Sequence, residues 1–179
     1  MNNDISKTIL SAEEIDNICK RLGEQISKDY EGKKPLIVGL LKGCQPFMSD
    51  LIKHISIHMQ LDYMLVSSYH GGTYSSGSVT IKKDIESNPK GRHIIIIDDI
   101  IDTGFTLKNI TNLFKDKEAA SVKVCCLLDK PEGRKVDITA DYIGTTIPLE
   151  FVVGYGLDYD GYYRNLPYIG VLKPEVYTK

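Results

Sequence analysis

Three aspartates stand close together after a run of four isoleucines, in His93-Ile-Ile-Ile-Ile-Asp-Asp-Ile-Ile-Asp-Thr-Gly-Phe-Thr106. The isoleucine run has the composition of a buried strand, and Asp98-Asp99 falls where that strand should emerge. Asp102 follows three residues later, and Thr103-Gly104-Phe105-Thr106 leads into a helix. Backbone N–H groups at a helix N-terminus, helped by Gly104, make a cradle for a phosphate dianion. Thr103 and Thr106 add hydroxyl donors. Carboxylates beside such a cradle repel the ligand unless they serve its other parts. Sugar hydroxyls and a divalent cation suit Asp98 and Asp99, while Asp102, inside the cradle, has the position of a proton acceptor. One aspartate in a strand-to-helix loop is usually only a helix cap; three of them around Thr-Gly-x-Thr outweigh that reading. The segment is not a Walker A loop. The closest spacing, Gly72 to Gly77, is followed by Ser78-Val79 and not by Lys-Ser/Thr.

The elements that must hold these residues follow from periodicity. Ser11 and Glu14 have capping-box spacing, and Ile15, Ile18, Cys19, Leu22 and Ile26 then form a helical stripe. Gly32-Lys33-Lys34-Pro35 ends that helix and leads into a strand over Leu36 to Leu41. Pro46 opens a second helix, predicted through about His58. Further strands are predicted over Leu61 to Tyr69, Val79 to Ile85, His93 to Asp98 and Val122 to Leu128, with a helix over Leu107 to Lys117. The segment His70 to Ser78 is too rich in Gly and Ser to bury a core face. Strands alternating with helices predict an α/β domain whose mainly parallel central sheet is flanked by helices on both faces. After residue 140 this rhythm gives way to Tyr, Gly and Asp. The expected organisation is therefore one domain with a core over about 11–140. A small lobe is expected from about 141–179 with the N-terminus, beside the sheet's carboxyl edge.

Composition narrows the function classes. A chain of 179 residues fits one domain, and 42% hydrophobic with 26% charged residues is ordinary for a soluble globular protein. A formal charge of −2 offers no general attraction to nucleic acid. Cys19, Cys44, Cys125 and Cys126 form no C-x-x-C pair, and neighbours on one strand face opposite ways. Four reduced thiols in a cytosolic protein are expected. The N-terminal MNNDISKTIL carries no signal-peptide pattern, and no apolar run approaches the ~20 residues of a membrane span. His54 and His58 stand four apart, but Ile-Ser-Ile between them lacks the glutamate of a zinc protease. They are expected at the surface or an interface.

Asp98-Asp99-Ile-Ile-Asp102-Thr-Gly-Phe-Thr106 resembles the phosphoribosyl-pyrophosphate loop of the type I phosphoribosyltransferases. Asp at 102 resembles the 6-oxopurine branch, the hypoxanthine-guanine phosphoribosyltransferases. The resemblance runs from about Ile37 to Leu172, with separated motifs in the right order. It implies the type I phosphoribosyltransferase fold, with a small hood lobe and a flexible lid loop. Residues Asp102, Thr103, Gly104, Phe105 and Thr106 would bind the 5′-phosphate, and Asp98 and Asp99 the ribose and metal. Leu41-Lys42-Gly43 matches a pyrophosphate loop, often with a non-proline cis peptide before the lysine; Cys44 stands where many relatives have Gly, Ser or Ala. Ser68-Tyr69 matches a pair that covers the reacting centre and contacts pyrophosphate, with the lid following. Lys130, in Leu128-Asp129-Lys130, matches the donor to the purine 6-oxo group, which would reject adenine's amino group. In the string from Phe151 to Asp158, Phe151 matches the ring that stacks on the purine, and the Val152 backbone would read the base edge. Asp158 matches a ligand for a second magnesium, direct or through water, with its backbone near the purine 2-position. Arg164 matches a pyrophosphate-binding arginine. The main departure is Asp98, where the 6-oxopurine enzymes usually have Glu.

The implied activity is purine salvage: transfer of a phosphoribosyl group from phosphoribosyl pyrophosphate to N9 of hypoxanthine and/or guanine, giving IMP or GMP and pyrophosphate. Mg2+ is the implied cofactor and Asp102 the implied base toward N7. A cytoplasmic homodimer or homotetramer is expected, with no stable nucleic-acid partner and no membrane association. Two alternatives remain at this point: an RNA-binding regulator of nucleotide synthesis on the same fold, and an enzyme preferring xanthine.

Overall fold

A computed structural model describes residues 1–68 and 79–178. Strand β1 (Ile5–Leu10) runs into helix α1 (Ala12–Asp29). The helix starts in a full capping box: Ser11 Oγ accepts from Glu14 N at 3.2 Å, and Glu14 Oε2 accepts from Ser11 N at 2.8 Å. Strand β2 (Leu36–Leu41) leads to helix α2 (Gln45–Leu51). That helix is shorter than its periodicity suggests. After Leu51 the chain tightens into a single 3-10 turn, Ile52–His54, and runs extended toward the next strand. The β-branched Ile52, Ile55 and Ile57 are weak helix formers, and α1 crosses close by: a Cβ on Gly23 would lie 2.6 Å from His54 Cβ. His54 and His58 therefore share no helix face. His54 approaches Asp16 at 3.8 Å and His58 is exposed.

Strands β3 (Gln60–Ser68), β4 (Val79–Lys83) and β5 (His93–Ile101) come next, then helix α3 (Phe105–Asp116) and strands β6 (Ser121–Asp129) and β7 (Tyr142–Thr146). They form a six-stranded sheet in the order β4-β3-β2-β5-β6-β7, parallel except for β4. Side chains alternate between its two faces. Ile95, Ile97 and Cys125 pack under α1 and α2, while Ile94, Ile96 and Cys126 pack with Leu107, Ile110 and Phe114 of α3. The adjacent cysteines thus point apart, and all four thiols are free and buried.

The chain end builds a second sheet. Strands β8 (Val152–Val153) and β9 (Ile169–Leu172) join β1 in the antiparallel order β1-β9-β8, and helix α4 (Pro174–Tyr177) follows. The N-terminal strand thus lies with the C-terminal segment, but β7 belongs to the large sheet, so the change of lobe comes after Thr146.

The order of the large sheet creates a switch point. From β2 the chain steps outward to β3, and from β5 it steps the other way to β6. In such sheets ligands bind beyond the carboxyl ends of the two diverging strands. The β2–β5 ladder stops at Gly39 and Ile97, whereas β5 and β6 stay paired to Ile101 and Asp129. Asp98 and Asp99 therefore lie within the last turn of pleat of β5, not beyond its end, at a crevice left where β2 departs.

Candidate active site

At this crevice a cavity of about 440 Å³ is lined by Asp98, Asp99, Asp102, Thr103, Thr106 and Asp158, among others. Its floor is the loop between β5 and α3. Three successive carbonyls of that loop are drawn toward the segment after β6. Ile101 O accepts from Lys130 N at 3.0 Å, Asp102 O from Arg134 Nε at 2.9 Å, and Thr103 O from Lys135 N at 3.0 Å. Arg134 also donates to Ile138 O and to Ile101 O, and pairs with Asp129 at 2.5 Å. Gly104 then caps α3 at φ +85°, a conformation that disfavours other residues, and a Cβ there would sit 2.6 Å from Ile138 Cγ2. The positive end of α3 is thereby fixed at the cavity wall, with Phe105 as its first residue.

Asp102 stands at the cavity with Lys130 Nζ 3.0 Å from its Oδ2. Lys130 is nearly buried, at 7% exposure, which is unusual for a lysine and requires a partner. Asp98 and Asp99 have a different environment. Burial, and then the neighbouring Asp99 charge, push Asp98 well above the usual carboxylate range. Burial raises Asp99 to about 6, against the pull of the Ile100 N–H and the Arg164 charge. Among the described residues neither carboxylate forms an ion pair, so the two present adjacent oxygen donors without a cation in contact. That chemistry fits a hard divalent cation.

The pyrophosphate-loop motif faces the same carboxylates. The Leu41–Lys42 peptide is cis, Lys42 is exposed, and Gly43 lies so near Asp99 that a Cβ would fall 1.8 Å from Oδ2. The hood meets this loop through Gly156, whose added Cβ would lie 2.1 Å from Gly43 O. Beside it, the Tyr155 hydroxyl donates to Asp50 Oδ2 at 2.6 Å and ties the hood turn to α2. Arg164 donates to Gly156 O and pairs with Asp158, both at 2.5 Å. The other oxygen of Asp158 accepts from Gly161 N at 2.8 Å. Asp158 therefore lines the cavity with both oxygens already engaged.

Phe151 immediately precedes β8 and is 39% exposed, while Val152 is buried. Neither lines the cavity around Asp102, although Phe151 O accepts from Leu172 N at 2.9 Å and fixes the strand start. Ser68 ends β3, and its side chain, like Tyr69 and the Gly/Ser-rich loop to 78, lies outside the described residues. Sequence reasoning missed Arg134 and the tyrosines around Phe151. A lone arginine after a Lys-Pro-Glu-Gly turn carries no pattern; the tyrosine-rich tail was itself the signal for the second group.

A helix start, a carboxylate pair and a cis-peptide loop meet around one switch point, the arrangement of a phosphoribosyltransferase domain. Residues 6–160 match the family model described as phosphoribosyl transferase domain. The chain is 61% identical over 178 residues, 99% of both chains, to a hypoxanthine-guanine phosphoribosyltransferase of Streptococcus pneumoniae. It is 58% identical over 179 residues to that of Streptococcus agalactiae, covering 100% of this chain and 99% of the relative. A crystal structure of a hypoxanthine phosphoribosyltransferase from Staphylococcus aureus superposes with a TM-score of 0.97 at 56% identity, covering 100% of this chain and 97% of that one. The chain belongs to the hypoxanthine-guanine phosphoribosyltransferases. None of these matches favours an RNA-binding regulator or a xanthine enzyme.

Proposed function

We propose that the chain is a purine salvage enzyme, transferring the 5-phosphoribosyl group of phosphoribosyl pyrophosphate to N9 of hypoxanthine and/or guanine and releasing IMP or GMP and pyrophosphate. The observation that carries this reading is the pair Asp102–Lys130 at 3.0 Å, beside the α3 N-terminus. One group accepts a proton and the other offers N–H donors, which is the complement of a 6-oxopurine edge.

In this reading the loop Asp102-Thr103-Gly104-Phe105-Thr106 takes the 5′-phosphate, with the helix dipole favouring its charge. Asp98 and Asp99 take the ribose hydroxyls, and Lys42, Gly43 and Arg164 hold the pyrophosphate; Ser68 and Tyr69 belong to the same proposed group. Phe151 offers its ring to the purine, the Val152 backbone and the surroundings of Asp158 meet the base edge, and Lys130 donates to O6. A lysine has three N–H donors, so Lys130 can keep Asp102 while serving O6. Adenine would bring an amino donor to that donor and be rejected. As the bond at the anomeric carbon stretches, positive charge develops on the sugar and N9 attacks from the opposite face. Asp102 accepts the N7 proton, which raises the nucleophilicity of N9; such assistance is worth about 10²–10⁴ in rate.

Asp98 and Asp99 would hold Mg2+, with Asp158 serving directly or through water, and the bound ion supplies positive charge to the leaving pyrophosphate. Among the described residues no three His, Cys, Asp or Glu side chains converge as a ready-made metal cage. No helix among the described residues is long and apolar enough to cross a membrane. The same reading expects a single domain of core and hood, in a cytoplasmic homodimer or homotetramer.

The test is nucleotide formation from phosphoribosyl pyrophosphate and Mg2+ with hypoxanthine, guanine, xanthine and adenine, with Asp102→Asn in parallel. Activity on hypoxanthine or guanine, none on adenine, and a fall of about 10² or more in the variant are expected. An active Asp102→Asn enzyme would remove Asp102 as the base. Folded protein inactive on every purine would sink the assignment.

A further inference from the structure

The ring assigned to the purine is itself backed by a second ring. Tyr177, the last residue of α4, stacks on Phe151 with centroids 4.8 Å apart and planes 24° apart. Tyr159 meets both edge-on, 5.8 Å from Phe151 and 6.4 Å from Tyr177. Phe151 still keeps 39% of its surface exposed. Tyr177 covers one face of the ring, and the exposed remainder is left for a base.

Tyr177 is held there from two sides. Helix α4 follows β9 directly, and β9 pairs with the strand that Phe151 precedes. The turn before it is fastened to the chain start: Lys173 N donates to Asp4 O at 2.9 Å and Lys173 Nζ to Asn3 O at 2.6 Å. Val176, Tyr177 and Tyr159 pack on Val153, Leu166 and Leu172. The C-terminal turn is thus clamped between the N-terminus and the strand that carries the platform.

We propose that Tyr177 is a positioning residue for the purine: its ring holds Phe151 at the angle at which the exposed remainder receives the base. This rests on the reading of Phe151 as the purine platform. The ring torsion of a phenylalanine is broad, so the plane of Phe151 is set by the rings it meets, Tyr177 stacked on it and Tyr159 at a steep angle. A platform whose plane is fixed in advance loses less freedom when the base binds. The effect belongs to the base, the ligand proposed for Phe151, and not to the sugar donor, because Asp98, Asp99, Thr103 and Thr106, proposed for the donor, line a cavity that includes neither ring.

The experiment compares KM for hypoxanthine and for phosphoribosyl pyrophosphate in the full-length chain, Tyr177→Ala, Tyr177→Phe, Phe151→Ala and the double alanine variant. Tyr177→Ala is expected to raise the hypoxanthine KM about three- to tenfold, leaving the donor KM within about twofold. Tyr177→Phe restores the native value, and the double variant matches Phe151→Ala alone because the two rings act as one unit. Should the alanine variant fail to fold, Tyr177→Leu keeps apolar volume without a ring and is expected to show the same selective rise. Equal rises in both KM values, or additivity with Phe151→Ala, would reduce Tyr177 to a structural part of the hood and overturn the proposal. A rise for Phe151→Ala with none for Tyr177→Ala would overturn the proposal and leave the platform reading standing. No rise for Phe151→Ala would remove both.

Discussion

Replacing Arg134 should loosen the loop between β5 and α3 although Arg134 itself does not line the cavity. Its guanidinium donates to the carbonyls of Ile101, Asp102 and Ile138 and pairs with Asp129 at 2.5 Å. Both members of that pair have side chains only 16% exposed, so solvent screens the interaction little. Arg134→Met keeps the length of the stem and removes every donor. It leaves Asp129, with a side chain only 16% exposed, without its cation, and loss of one partner of a buried pair costs about 3–5 kcal/mol. The abandoned carbonyls can regain water once the loop loosens, so the lower half of that range, about 3–4 kcal/mol, is expected. At about 2–4 °C per kcal/mol for a chain of this size, melting should fall by about 6–16 °C. Catalysis should suffer as well, since displacing the loop by about 1 Å costs on the order of 10² in rate. The donor KM should rise more than the hypoxanthine KM, because the moved groups are those proposed to hold the 5′-phosphate. Melting within about 2 °C of native with an unchanged donor KM would refute the clamp. Arg134→Lys separates charge from geometry: one ammonium cannot reach four acceptors spread over residues 101–138, so it should recover little of the loss.

Two further outcomes follow from carboxylates of opposite character. Burial raises Asp62, but the backbone N–H groups of Ser87, Tyr63 and Glu86 at 2.8–2.9 Å outweigh it and hold the group below its usual range. Its stabilisation is therefore present above the unfolded value of about 4 and lost as pH falls through the folded one; Asp62→Asn should cost about 2–3 kcal/mol by urea denaturation at neutral pH, with the difference from native shrinking below about pH 4, and a gap that persists in acid would contradict this. Asp98 and Asp99 are raised, so their contribution to the stability of the cation-free chain is present in acid and declines as pH rises above the ordinary carboxylate range, for Asp99 through about 6. Mg2+ with pyrophosphate needs them ionised and should raise the melting temperature more at about pH 8 than at about pH 5; an equal rise at both would place the ion elsewhere.

What the sequence disclosed about this fold was governed by how local each cause is. A strand buried on both faces is an apolar run, so Leu36–Leu41 and the isoleucines of β5 were legible at once. The end of β5 was not, because it continues to Ile101 only as far as β6 offers a ladder, and that partner lies beyond α3. Helix α2 was overextended for the same reason: the stripe past Leu51 is real, but the crossing of Gly23 against His54 decides the backbone there. The hood was legible only as a change of composition, since β8 has two residues and pairs through β9 with a strand at the other end of the chain.

The same distinction sorts the site. Asp98, Asp99 and Asp102 were visible because charged residues at the mouth of an apolar strand serve no packing purpose and must answer to a ligand or to each other, whereas Lys130 was reached only through the family resemblance. Arg134 and Tyr177 were invisible because each works on a functional residue and not on the ligand. One holds the carbonyls of a loop from 32 residues away, and the other covers the back of a ring. Their residue types are ordinary for a surface turn and a chain end, and only the fold gives them an object. Residues proposed to meet substrate thus declare themselves by chemistry out of place, whereas residues proposed to aim them are recognisable only from contacts. Arg134 and Tyr177 are accordingly the positions where mutation separates positioning from contact, each through the KM of a different substrate.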